Sequence, residues 1–415
     1  MQQKKYYPWI VVGLLWFVAL LNYIDRQMLS TMKPSMMIDI VELETAANFG
    51  RLMAVFLWIY ALMSPISGII ADRLNRKWVI VGSLFVWSAV TLLMGYAKTF
   101  DQLYILRALM GVSEAFYVPA GLSLIADYHQ GKNRSLAVGI HMTGIYLGQA
   151  LGGFGATIAF NFSWQTTFHV FGLVGVLYSV ILILFLREKK AYTIAPEDSH
   201  SIVKGFTEAF KGVGVLLGNL SFWVILFYFS APSLPGWATK NWLPTLFSTN
   251  LHINMEQAGP LSTITIAMSA LIGVLVGGII SDRWMQRNLR GRIFTGVVGL
   301  ALTIPAVMLL GFGGSSFVAI WCGASLFGFG FGVFDVNNMP ILCQFVSPRF
   351  RATGYGLMNM AGISAGALIT TILGKSADSG NLSRDIAMLA GFVVVAIVFQ
   401  LLMLHPKTAN KTDDF

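Results

Sequence analysis

The chain has 415 residues, of which 56% are hydrophobic and only 11% are charged. Soluble domains carry about a quarter charged residues, and a soluble fold of this length has too little interior to hide so much apolar surface. Composition therefore speaks against a water-soluble enzyme or nucleic-acid-binding protein, and the net charge of +9 has to be explained by where the basic residues sit.

Reading along the chain for apolar stretches of about 20 residues gives twelve expected spans. They lie near 8–36, 48–72, 77–97, 101–127, 135–160, 165–186, 219–247, 257–281, 292–313, 316–345, 352–374 and 385–404. Lys4 and Lys5 precede the first run, as in a signal peptide. No small-residue cleavage site follows and the run outlasts signal length, so it reads as span one. Within it, "LLNYIDRQMLS" sets Asp25 and Arg26 about two-thirds along. Span two ends in "GIIADRLNRK" (68–77), with Gly68, Asp72, Arg73, Arg76 and Lys77. Span four, "RALMGVSEAFYVPAG", carries Glu114 at its middle.

Each intramembrane charge costs on the order of 3 kcal/mol in hydrocarbon, so these groups should face a cavity or each other. One reading is a structural ion pair. The other is an anion site beside a proton-carrying carboxylate, since desolvation and a nearby arginine pull a carboxyl pKa in opposite directions. Intramembrane ionisable groups usually line pathways, which favours the second.

Span five contains "GIYLGQALGG", whose glycines suit helix packing. His141 and His169, in spans five and six, read as packing groups. A polar linker covers 187–218, and its later part, "SIVKGFTEAFKGVGVLL", has the pattern of an amphipathic surface helix. Span seven, "SLPGWATKNWLPTLF", suggests a bending gate. Trp237, Lys240, Asn241 and Trp242 read there as an aromatic belt with a snorkelling lysine. Span eight ends in "GIISDRWMQR" (278–287), which repeats the earlier glycine and Asp-Arg pair at Asp282 and Arg283. Span ten reads "GFGFGVFDVNNMP", with Asp335, Asn337 and Asn338 before Pro340. Asp335 is expected to cap a neighbouring helix or to be a second coupling site. Cys322 and Cys343 imply neither a disulfide framework nor a metal site.

If both ends lie on one side of a bilayer, that side holds 20 of the 28 basic residues. The positive-inside rule then predicts cytoplasmic termini and makes the charge excess a topology signal. The second echo, "RSLAVG" (134–139) against "RATGYG" (351–356), completes a parallel repeat of two six-span halves. The expected division is 1–186, a linker at 187–218, and 219–415. No P-loop, nucleophile–base set or HExxH cluster appears, so neither ATP drive nor enzyme chemistry is expected.

Two six-helix halves, "GxxxDRxxRK" after span two and a degenerate copy after span eight resemble the major facilitator superfamily. The resemblance covers essentially the whole chain and implies an all-helical bundle working by alternating access. Asn75 stands where the family loop has its second glycine, a mild departure because asparagine tolerates left-handed geometry. The resemblance makes Gly68, Asp72, Arg73, Arg76 and Lys77, with Asp282 and Arg283, a conformational latch.

"NYIDRQ" with "RALMGVSEAFYVPAG" resembles the anion:cation symporter branch, which includes hexuronate, galactonate and sialin-type carriers. It implies that Arg26 grips a substrate carboxylate and that Asp25 and Glu114 carry protons. Tyr23, Tyr60 and Gln149 are the matching positions for sugar hydroxyls, and Asn337 and Asn338 are further candidate donors. The partners expected are a small organic anion, protons and the bilayer of a bacterial inner membrane, with no cofactor, no nucleic acid and a monomeric protein. A lipid-like or sialic acid substrate, sodium coupling and a non-transporting sensor are the competing readings.

Overall fold

A computed structural model describes residues 6–129, 133–189, 211–346 and 351–405. The first half begins with α1 (Tyr7–Leu29), the short α2 (Lys33–Asp39) and a 3-10 turn at Val41–Glu44. It continues through α3 (Ala46–Arg73), α4 (Arg76–Met94), α5 (Phe100–Glu114) and α6 (Tyr117–Tyr128). It ends with α7 (Arg134–Gly152), α8 (Gly155–Asn161) and α9 (Trp164–Phe185). After α10 (Lys211–Leu217), which meets its neighbour at 89°, come α11 (Leu220–Leu251), α12 (Met255–Met285) and α13 (Gly291–Phe312). The chain closes with α14 (Phe317–Asp335), α15 (Asn338–Phe345), α16 (Arg351–Asp378) and α17 (Leu382–Met403).

Among the described residues every regular element is helical, as a chain crossing hydrocarbon requires when each segment must satisfy its own backbone. Ten helices are long and apolar enough to cross a membrane, or up to eleven if α10 and α11 form one bent span. The expected twelfth is α7, which does not reach that apolarity because it carries Arg134, His141 and Gln149 among its 19 residues. Of the expected linker helix, Lys211–Leu217 is helical; residues 190–210 lie outside the described residues.

Two of the helix breaks follow ionisable residues. Expected span four is α5 and α6, broken after Glu114, and expected span ten is α14 and α15, broken after Asp335. In α11, Pro232, Pro235 and Pro244 remove backbone donors, and the helix nevertheless continues. Ser233 and Thr239 hydroxyls donate to the carbonyls of Phe229 and Pro235, at 2.7 and 3.0 Å. Pro244 cannot donate to the Lys240 carbonyl one turn back. That carbonyl instead accepts from Gln27 Nε2 in the first half, at 2.9 Å.

Gly144, Gly148 and Gly152 line the face of α7 against α1. A Cβ at Gly144 would lie 2.6 Å from the Trp16 carbonyl oxygen, and one at Gly152 would lie 2.6 Å from the Gln27 Cβ. This four-residue spacing of small residues lets the backbones approach.

The halves pack through α3 and α16 as far as Pro65, which would lie 3.4 Å from a Cβ at Gly356, and their hydrogen bonds to each other gather towards one end of the bundle. The backbone N–H groups of Ala46 and Ala47, at the start of α3, donate to the Asp378 carboxylate at 2.6 and 2.8 Å. Thr157 and Thr263 hydroxyls donate to the carbonyls of Glu256 and Ala150, both at 3.0 Å. Phe49 and Trp242 meet edge to face, 6.4 Å between ring centres. Among the described residues no hydrogen bond or ion pair joins the halves at the other end, where the two Asp-Arg loops lie.

Candidate functional site

The ionisable groups of α1, α3 and α5 converge at mid-bundle. Arg26 Nε donates to Glu114 Oε2 at 2.5 Å, and Asn22 Nδ2 donates to the same oxygen at 2.9 Å. Glu114 is fully buried, whereas the Arg26 side chain is 12% exposed. The cation thus stands between a dry carboxylate and a water-accessible space. Its guanidinium carbon lies 4.5 Å from the Tyr60 ring centre and 5.0 Å from those of Tyr23 and Phe56. Three rings fix the plane of the fork, and Nη2 has no protein acceptor. A planar guanidinium held by one nitrogen has its outer nitrogens free for a carboxylate.

Asp25 points the other way. It is buried, one oxygen has no partner and the other accepts from the Thr91 hydroxyl at 3.5 Å. Arg107 is buried nearby, with Nη1 on the Met110 sulfur at 3.2 Å and its guanidinium carbon 4.7 Å from the Phe56 ring centre. Its charge acts on those of Asp25 and Glu114. Two cations and two carboxylates therefore share one core around Phe56. Sequence reasoning assigned no role to Arg107; an arginine inside an apolar run was the signal that pointed to it.

Tyr23 and Tyr60 lie against Arg26, and Gln149 is buried on α7 with no protein hydrogen bond among the described residues. Asn337 does not fit its expected role in this conformation. It is 1% exposed, its amide nitrogen donates to the Val333 carbonyl at 2.9 Å, and its oxygen accepts from the Ser281 hydroxyl at 2.5 Å. Asn338 Nδ2 donates to Asp335 Oδ1 at 3.0 Å, so Asp335 does not cap a neighbouring helix. The belt expected in span seven is also corrected. Trp242 is fully buried and its indole N–H donates to the Thr370 carbonyl at 3.1 Å. Lys240 lies over Trp237 and Phe331 inside the protein. His141 is buried against the Tyr117 hydroxyl at 2.8 Å, a packing contact.

At the first Asp-Arg loop, the side chains of Asp72 and Arg73 lie outside the described residues. Asn75 is extended rather than left-handed and caps α4, accepting from the Trp78 N–H at 3.2 Å. Arg76 is ion-paired with Asp127. The Lys77 N–H donates to Glu188 and its Nζ to the Ile183 carbonyl, both at 2.8 Å. Nothing lies within 4 Å of a Cβ built on Gly68. At the second loop, Asp282 is exposed and reaches Arg292 at only 3.8 Å; among the described residues Arg283 has no ion pair.

Residues 15–371 match the Major Facilitator Superfamily. The chain is 25% identical to the hexuronate transporter of Escherichia coli (strain K12), over 99% of this chain and 96% of that protein. It is 22% identical to a probable L-galactonate transporter of the same organism, covering 96% and 89%. It is 27% identical to the chloroplastic sodium-dependent phosphate transport protein 1 of Arabidopsis thaliana, covering 94% and 78%. Among solved structures, a bacterial homolog of the human lysosomal transporter Spinster, inward-facing and occupied, superposes with a TM-score of 0.76. That match has 21% identity and covers 96% of this chain and 97% of the other. A nucleoside transporter superposes with a TM-score of 0.75 at 15% identity, covering 95% and 100%. These likenesses establish the fold.

Proposed function

The chain belongs to the Major Facilitator Superfamily, and on that premise we propose that it imports a small organic anion, a hexuronate or related sugar acid, together with protons. The observation that carries this reading is the Arg26–Glu114 pair, at 2.5 Å between a dry carboxylate and a water-accessible face. A substrate carboxylate and Glu114 compete for one guanidinium. Protonation of Glu114 removes the competitor, so proton and anion bind together. Breaking a buried ion pair without compensation costs about 3–5 kcal/mol, which disfavours release of Arg26 without either ligand. Asp25, beside Arg107, is the second proton carrier, and Tyr23, Tyr60 and Gln149 meet substrate hydroxyls.

The names of the bacterial relatives support the sugar acid, and the plant relative's name is also that of an anion carrier. The two halves rock about the midplane site. With the Asp-Arg loops in the cytoplasm, the conformation described is inward-facing.

The test is thermal stabilisation of purified protein by glucuronate, galacturonate, galactonate and sialic acid, since a ligand of the folded state raises its apparent Tm. Uptake into proteoliposomes under an imposed pH gradient follows. Stabilisation by the sugar acids and gradient-driven accumulation are expected. No stabilisation by any of the four would remove the substrate class, and uptake indifferent to the gradient would remove proton coupling.

A further inference from the structure

Two further ionisable side chains reach the space between the halves, and they sit where the repeat would place counterparts of Arg26 and Glu114. Arg26 is on the first helix of its half, and Glu114 ends α5 where the fourth span breaks. Lys240 is on α11, the first long helix of the second half, and Asp335 ends α14 where the corresponding span breaks. The first pair is in contact. The second is not: Lys240 and Asp335 are not within the 4.0 Å of an ion pair, although their charges act on each other and that of Lys240 acts on Arg26.

The ammonium is held 4.8 Å from the Trp237 ring centre and 5.9 Å from that of Phe331. Phe331 lies one turn before Asp335 on the same face of α14, so cation and carboxylate overlook one gap. Asp335 is exposed although it sits at a mid-bundle break, with one oxygen fixed by Asn338. The Lys240 carbonyl accepts from Gln27, the residue after Arg26, at 2.9 Å, so this gap adjoins the Arg26 segment of α1.

We propose that Lys240 and Asp335 read the end of the substrate remote from its carboxylate and select a hydroxyl there over a second carboxylate. A hydroxyl can donate to Asp335 while accepting from Lys240, so one group satisfies both. A carboxylate only accepts and would face Asp335 with like charge. A hydrocarbon end would desolvate both charges and bond neither. This inference rests on the reading that Arg26 takes the carboxylate of a sugar acid.

The experiment is competition binding on the purified full chain with glucuronate, glucarate and cyclohexanecarboxylate, whose ring matches a uronate without its hydroxyls. Wild type should bind glucuronate at least about tenfold tighter than either competitor. Asp335→Asn should bring the glucuronate-to-glucarate ratio towards one. Lys240→Met should weaken glucuronate about tenfold and leave cyclohexanecarboxylate unchanged. Arg26→Lys should weaken all three. These ratios do not move with a general loss of folded protein. Wild-type ratios retained in both Asp335→Asn and Lys240→Met would overturn the proposal and leave the Arg26 reading standing. Equal binding of glucuronate and cyclohexanecarboxylate by wild type would do the same. Wild type that bound none of the three would remove the sugar-acid reading and this inference with it.

Discussion

Arg26 commits one nitrogen to Glu114 and leaves Nη2 without a protein acceptor. Arg26→Lys keeps the charge but loses the planar fork, and an ammonium cannot lie against three rings and grip a carboxylate bidentately. Substrate affinity should fall at least about tenfold, read as the Kd of the ligand that stabilises wild type; native affinity would discard the clamp. Glu114→Gln imitates the protonated side chain. Uptake driven by a pH gradient should vanish while binding and substrate exchange persist, and counterflow in proteoliposomes separates the two. Gradient-driven accumulation by that variant would take Glu114 out of the coupling. Asp25, Arg26 and Glu114 were legible in the sequence because a charge inside an apolar run has few reasons to be there. Trp242 was not, because a tryptophan near a span end looks alike whether it faces headgroups or donates to Thr370 in the core. Lys240 was misplaced for the same reason, since the space it overlooks forms only when the halves meet.

The helices themselves follow from apolar length, and the starts of α3 and α4 follow from Thr45 and Asn75 as caps. The breaks were harder to see. No glycine or proline stands at Ala115–Phe116 itself, between α5 and α6, but Pro119 is four residues on and cannot donate to the Ala115 carbonyl, so the helix is interrupted one turn before the proline. The glycines of span five are legible as a stripe, but which helix they face is not. In the structure it is α1, and a Cβ at Gly148 would run into the Leu20 carbonyl oxygen and lie 2.9 Å from the Tyr23 Cβ. Gly148→Val should therefore pry α7 from α1 and cost about 1–3 kcal/mol, seen as a lowered apparent Tm in detergent and weakened substrate binding through Tyr23. Gly13, whose Cβ would meet nothing within 4 Å, is the matched control. A Gly148→Val protein as stable as Gly13→Val would mean that the α1–α7 approach is not tight.

Over the whole molecule, the two ends of the bundle hold different locks. At the closed end, Asp378 accepts from the first two N–H groups of α3, a charge-assisted cap supplied across the halves. That contact exists only while this end is shut. At the open end, the Asp-Arg loop of the first half makes its described contacts within its own half, Arg76 to Asp127 and Lys77 to Ile183 and Glu188. We propose that Asp72 latches the halves there in the opposite state. A contact confined to one state sets a population, and about 1.4 kcal/mol is tenfold. Asp378→Asn should shift protein away from the described conformation, and Asp72→Asn should shift it further in, each slowing turnover without changing the substrate's intrinsic affinity. Asp282→Asn should do little, because its 3.8 Å contact with Arg292 is solvent-exposed. The two residues stand at opposite ends of the bundle, so their effects should add. The Asp72→Asn/Asp378→Asn double variant should return close to the wild-type population while losing stability in both states. Labelling of single cysteines placed at each end, in a background without Cys322 and Cys343, reads that population directly. A double variant that followed Asp378→Asn alone would show that Asp72 serves topology and holds no conformational state.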